Sequence, residues 1–135
     1  MVLPHADPVK LAVKSKVWIV DGAGAVVFGA GRLRILELVD QHGSIHAAAK
    51  ELRMSYRAMW GKIKATEERM GQALVRRKQD GARREGSELT PFARTMMEGF
   101  RQLELSVEQQ ADHHFQDIFS SNLGSKIQPG PSGPG

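Results

Sequence analysis

Between Arg53 and Arg84 the chain carries ten lysines or arginines (Arg53, Arg57, Lys62, Lys64, Arg69, Arg76, Arg77, Lys78, Arg83 and Arg84) against three acids, Glu67, Glu68 and Asp80. That surplus of seven exceeds the net charge of +4 on the whole 135-residue chain, so positive charge is concentrated in one stretch. Fixed cations grouped in this way hold anions, and polyanions above all, because every neutralised phosphate releases a counterion. Catalytic chemistry has no comparable candidate: no nucleophile, base and orienting acid fall at a recognisable spacing. The chain has no cysteine, which excludes disulfides and thiolate metal sites. His42 and His46 are four apart, but Gly43-Ser44 breaks the helix between them; His113 and His114 are adjacent and diverge by about 100° on a helix. Gly22-Ala23-Gly24 and Gly29-Ala30-Gly31 do not complete G-x-G-x-x-G, so these glycines are read as backbone turns. No catalytic residue, metal site or cofactor is expected.

The cations need elements to aim them. Ser44 can cap a short helix, Ile45 to Leu52, built on Ala47, Ala48, Ala49 and Leu52. Ser55 can cap a second, Tyr56 to Met70, after a turn of about three residues at Leu52-Arg53-Met54. At about 100° per residue, Met59, Ile63, Thr66 and Met70 share one arc of that second helix, flanked by Tyr56 and Trp60. The opposite arc holds Arg57, Ala58, Gly61, Lys62, Lys64, Ala65 and Arg69, long cations beside positions with almost no side chain. Gly61 costs roughly 1 kcal/mol against alanine inside a helix, and close approach to a partner is a reason to keep it. A short alanine-rich helix followed by a basic one reads as a helix-turn-helix, whose second helix enters a DNA major groove.

The remaining elements frame this pair. Leu11, Val13, Val17 and Ile19 alternate as in a strand, Asp21-Gly22-Ala23-Gly24 is turn chemistry, and Ala25 to Phe28 can return to close a hairpin. A first helix, Arg32 to Gln41, carries Leu33, Leu36, Val39 and Ile35 on its apolar side and ends at Gly43. Leu74 to Arg77, a turn at Asp80-Gly81 and Ser87 to Leu89 form a second hairpin whose Arg76, Arg77, Lys78, Arg83 and Arg84 can reach phosphates or a minor groove. Thr90 caps and Pro91 opens a long helix to about Phe119. Phe92, Met96, Phe100, Leu103, Val107, Ala111, Phe115 and Ile118 recur along it at spacings of three and four. This seam is longer than one small domain can cover: its first half is expected to pack on the winged domain and a second copy of the chain to bury the distal half, the alternative being a helix that frays past Gln110. Residues 1 to 10 read as a flexible leader, and 120 to 135 as a glycine- and proline-rich disordered tail.

The fold class expected is mainly α with short β-hairpins, a winged helix-turn-helix with a long C-terminal dimerisation helix. The winged domain occupies 11–89 and the dimerisation helix 90–119. From Gly29 to about Glu104 the chain resembles the DNA-binding domain of the ModE family of molybdate-responsive transcription regulators, related in turn to LysR-type domains. The residues carrying the resemblance are Gly29-Ala30-Gly31-Arg32, Gly43-Ser44-Ile45 with Ala47-Ala48-Ala49, Met54-Ser55-Tyr56-Arg57 with Ala58 and Trp60, and Leu89-Thr90-Pro91. The chain departs from the family at Gly61, where an acid is usual, and at its arginine-bearing wing tip.

The expected partner is double-stranded DNA, bound by a homodimer on an inverted repeat. The DNA-contacting set is Ser44, Ser55, Tyr56, Arg57, Gly61, Lys62, Lys64, Arg76, Arg77, Lys78, Arg83 and Arg84. Molybdate-responsive members carry further oxyanion-binding domains for which this sequence leaves no room, so no molybdate binding is expected of this chain. No apolar run reaches the roughly 20 residues that span a bilayer, and no signal peptide is evident, so a cytoplasmic location is expected.

Overall fold

The structure, a computed structural model, describes residues 9–78, 86–120 and 127–130, the last stretch largely as backbone. The elements in chain order are β1 (Val9–Leu11), β2 (Ile19–Val20), β3 (Val26–Phe28), α1 (Ala30–His42), α2 (Ile45–Glu51), α3 (Tyr56–Met70), β4 (Val75–Arg77), β5 (Ser87–Leu89), α4 (Pro91–Phe119) and β6 (Ile127–Pro129). Val17–Arg101 forms one compact unit, and Met1–Lys16 with Gln102–Gly135 a second. Among the described residues no helix is long and apolar enough to cross a membrane.

The core of Val17–Arg101 is assembled from one face of each element. Helix α1 contributes Leu33, Ile35, Leu36, Leu38 and Val39, α2 Ile45, Ala48 and Ala49, and α3 Met59 and Ile63. Ala48 and Ala49 leave room for α3 to cross closely, which is why the short helix must be alanine-rich. Phe28 closes the core from β3 and meets Phe100 of α4 edge to face, ring centroids 5.2 Å apart. Both rings are almost wholly buried.

The helix ends follow their sequence signals. Ser44 Oγ accepts from Ala47 N–H at 3.2 Å and Ser55 Oγ from Ala58 N–H at 3.0 Å. Gly43 and Gly71 end α1 and α3 with φ of 67° each, the left-handed conformation that glycine adopts without a Cβ clash. Thr90 Oγ1 accepts from Ala93 N–H at 3.1 Å and donates to Ala73 C=O at 2.7 Å, while Thr90 N–H reaches Leu74 C=O at 3.0 Å. One threonine thus caps α4 and clasps the base of the second hairpin. Arg94 grips Asp40 of α1 with two guanidinium nitrogens, at 2.8 and 3.3 Å, and the hydrogen bond to that carboxylate raises the Arg94 pKa still further above its ordinary value.

The first hairpin is shorter than its alternation predicts. β2 holds only two residues, paired antiparallel with β3 through Ile19↔Phe28 and Val20↔Val26 with a register shift between them. Residues 12–18 have no ladder, because alternation makes a strand only where a partner strand lies alongside. Leu11 belongs instead to β1, which pairs in parallel with β6 in the register Val9↔Ile127, Lys10↔Gln128 and Leu11↔Pro129. Proline cannot donate, and the next residue, Gly130, gives its N–H to Leu11 C=O at 2.6 Å. This corrects the expectation of a loose leader at 9–10 and a disordered tail at 127–129; residues 1–8, 121–126 and 131–135 lie outside the described residues.

Candidate nucleic-acid interface

The turn between α2 and α3 is held by Arg53 N–H to Lys50 C=O at 3.1 Å and Met54 N–H to Ala49 C=O at 2.9 Å. It requires Arg53 at φ 55°, and Arg53 is the one non-glycine residue with positive φ among those described. That conformation costs an L-residue roughly 1–2 kcal/mol. Arg53→Gly removes the strain, partly offset by glycine's added freedom in the unfolded chain. The variant is expected to gain up to about 1 kcal/mol of stability, read as a higher urea midpoint at unchanged slope.

Helix α3 rests on buried Met59, Ile63 and Thr66 and exposes Tyr56, Arg57, Ala58, Gly61, Lys62, Lys64, Glu68 and Arg69. A Cβ at Gly61 would meet nothing within 4 Å, so no packing within the chain demands this glycine. The side chains of Arg57 and Lys62 have no hydrogen-bond or ion-pair partner among the described residues. Lys64 differs: its Nζ is 3.4 Å from Glu67 Oε1 and 4.8 Å from the centroid of the Trp60 ring. Its charge is folded back toward the domain, which makes it a weaker candidate contact than the helix periodicity implies.

Glu67 anchors the hairpin that follows. Its Oε2 accepts from Leu74 N–H at 2.7 Å and Val75 N–H at 3.3 Å, fixing the start of β4 against the end of α3. Sequence shows Glu67 only as an acid in a basic stretch; nothing in its spacing marks this role. Arg32 donates from Nε to Thr66 Oγ1 at 3.0 Å, and that hydroxyl donates to Lys62 C=O at 3.1 Å. Burial lowers the Arg32 pKa, with neighbouring Arg69 adding to the effect, and Arg69 itself donates to Val26 C=O at 2.9 Å. Arg32 and Arg69 therefore brace α3 from behind.

The wing pairs β4 with β5 in the register Val75↔Leu89, Arg76↔Glu88 and Arg77↔Ser87. Arg76 and Arg77 are exposed, with Arg76 3.9 Å from Glu88. The strand is pinned to the corner between α1 and α2 by Ser87 N–H donating to Gly43 C=O at 2.9 Å. Gly86 has φ 110°, and a Cβ there would lie 2.7 Å from Gly43 O, so only glycine permits this approach. Lys78 lies across the same two glycines, and it is half-buried rather than extended toward a partner. Arg83, Arg84 and the Asp80-Gly81 turn lie outside the described residues.

Between the wing and the first turns of α2 and α3 runs a groove of about 640 Å³ lined by Ser44, Ile45, His46, Tyr56, Trp60, Val75, Arg76, Arg77, Gly86 and Ser87. Four of the expected contacts, Ser44, Tyr56, Arg76 and Arg77, come together there. The hydroxyl oxygens of Ser44 and Ser55 are occupied as caps, leaving their O–H groups as donors. His46 and Tyr56 stack across the groove wall, centroids 4.0 Å apart and planes 14° from parallel. The sequence offers His46 only as a metal candidate, whereas His42 points elsewhere and meets Glu51 at 2.6 Å. Among the described residues no group of three metal-ligating side chains exists.

Three helices with a capped helix-turn-helix, a β-wing beside it and a cationic face on α3 define a winged helix-turn-helix domain. Residues 31–94 match the bacterial regulatory helix-turn-helix proteins of the lysR family, a family of regulators and not of enzymes. The chain is also similar to the molybdenum transport protein ModE of Azotobacter vinelandii, 33% identical over 81 residues, covering 60% of this chain and 30% of that protein. It is similar to the transcriptional regulator ModE of Haemophilus influenzae, 33% identical over 86 residues, covering 64% and 33% respectively. It spans about a third of the length of these relatives. Among solved structures it is similar to the DNA complex of the CbnR DNA-binding domain, with 24% identity, a TM-score of 0.49, and 65% of this chain and 95% of that one covered.

The expected dimerisation seam divides in the structure. Phe100 is 2% exposed and belongs to the core, with Phe92 and Met96 half-buried against it. These three serve the domain itself, so of the row from Phe92 to Ile118 only the part beyond Phe100 is left for a second copy. Leu103 and Ile118 are exposed, and Val107, Ala111 and Phe115 are half-buried. Phe115 meets Phe119 at 5.0 Å between ring centroids, extending this distal row by one turn.

Proposed function

We propose that the chain is a cytoplasmic DNA-binding transcription regulator that acts as a homodimer on an inverted repeat. The observation that carries the reading is the face of α3: exposed Arg57 and Lys62 beside a bare Gly61, next to a groove whose far wall is the arginine-bearing wing. Arg57, Lys62 and Tyr56 meet base edges in the major groove, and Arg76 and Arg77 hold flanking phosphates. Gly61, which packing leaves free, lets the helix approach the duplex. Leu103, Val107, Ala111, Phe115 and Ile118 pair with the same row of a second copy, and the two-fold symmetry of that pair imposes an inverted repeat on the site. Similarity to two ModE proteins, one of them a transcriptional regulator, supports the regulatory reading.

Selection of duplexes from a random pool at near-physiological salt, followed by sequencing, tests it. Enrichment of one inverted repeat is the expected result, with affinity for it falling steeply as salt rises, by about 0.9 log unit per log unit of salt for each phosphate neutralised. Binding without any enriched sequence overturns the reading in favour of an architectural or protein-interaction role.

A further inference from the structure

We propose that His46 is a positioning residue that sets base-pair discrimination through Tyr56. The inference rests on the DNA-binding reading above and deepens it. Tyr56 is the first residue of α3 and 42% exposed, so the core does not hold its ring. What lies against that ring is the imidazole of His46, reaching from α2 to stack at 4.0 Å and 14°. Both rings line the groove between the helix-turn-helix and the wing. The first turn of a recognition helix is the part that meets base edges, and a tyrosine there discriminates only if its two side-chain torsions are already set when the duplex arrives. The flat stack sets them. Without it, binding must order the ring at its own expense, and the tyrosine accommodates several base pairs instead of one.

This arrangement predicts a loss of preference rather than a loss of charge. His46→Ala is expected to lower the ratio of affinities for the selected duplex and a random duplex by about threefold to tenfold, the cost of ordering one such side chain on binding. Affinity for random DNA stays close to that of the wild type. His46→Phe, which keeps a ring in the stack and removes both nitrogens, restores the ratio. Thermal midpoints of both variants match the wild type, because neither ring belongs to the core. An equal loss on both duplexes that phenylalanine does not rescue makes His46 a phosphate contact and overturns the proposal. An unchanged ratio in His46→Ala overturns the positioning role alone, whereas a wild-type chain with no sequence preference overturns the DNA reading and this role with it.

Discussion

Arg57→Ala is expected to lower affinity for the selected duplex by about tenfold to a hundredfold, while affinity for random DNA falls far less. Arg57 is the second residue of α3, two positions after the Ser55 cap, and no acid within the described residues neutralises it. A guanidinium in that position presents a planar fork that matches the O6 and N7 acceptors of guanine, and a fork of this kind discriminates by about 1–3 kcal/mol. Arg57→Lys separates charge from shape: lysine keeps the attraction for phosphate but not the paired donors. It is expected to hold random binding at the wild-type level and recover only part of the preference. Titrations of both variants against both duplexes, at one salt concentration, measure the effect. A loss of equal size on the two duplexes makes Arg57 a phosphate contact and moves base readout to Lys62 and Tyr56.

Phe100→Ala is expected to cost the Val17–Arg101 unit about 3–5 kcal/mol, a large part of the 5–15 kcal/mol by which a small domain is ordinarily stable. Phe100 is 2% exposed, and its ring meets Phe28, itself fully buried, edge to face. Truncation removes the apolar contact and leaves a cavity where α4, β3 and α1 converge, which the braces Arg94–Asp40 and Arg101–Glu37 cannot fill. Those two pairs are exposed enough that solvent screens them to little net stabilisation. Urea unfolding measures the loss, and protein concentration distinguishes its origin. A core cavity lowers the midpoint by the same amount at every concentration, whereas a lost contact between copies shifts it more as the chain is diluted. The first outcome is expected for Phe100→Ala.

The elements that position the interface were legible in the chain because their signals are local. Ser44, Ser55 and Thr90 cap their helices through backbone groups three residues away. Gly43 and Gly71 end helices by adopting a backbone angle that needs no distant partner. Met59, Ile63 and Thr66 fall on one side of α3 because a helix repeats every 3.6 residues, and burial follows from that repeat. The same periodicity separates the cationic arc from the buried one, so the face carrying Arg57 and Lys62 is a property of sequence alone.

What sequence could not decide were the pairings between segments far apart in the chain. The seam of α4 has one spacing from Phe92 to Ile118, yet Phe100 enters the core and Ile118 is exposed, since periodicity defines a face but not what lies against it. Leu11 reads as part of a strand leading to Ile19, and its ladder partner is instead Pro129. Lys64 reads as a free cation until Glu67 is placed beside it. Glu67 fastens β4, Gly86 meets the carbonyl of Gly43, and His46 stacks on Tyr56 through contacts that exist only once three helices and a wing are packed. Local backbone chemistry therefore determined which helices exist and which way they face; the tertiary structure alone decided which cations are left uncommitted and which ring is held still, because those outcomes depend on neighbours that the order of residues does not name.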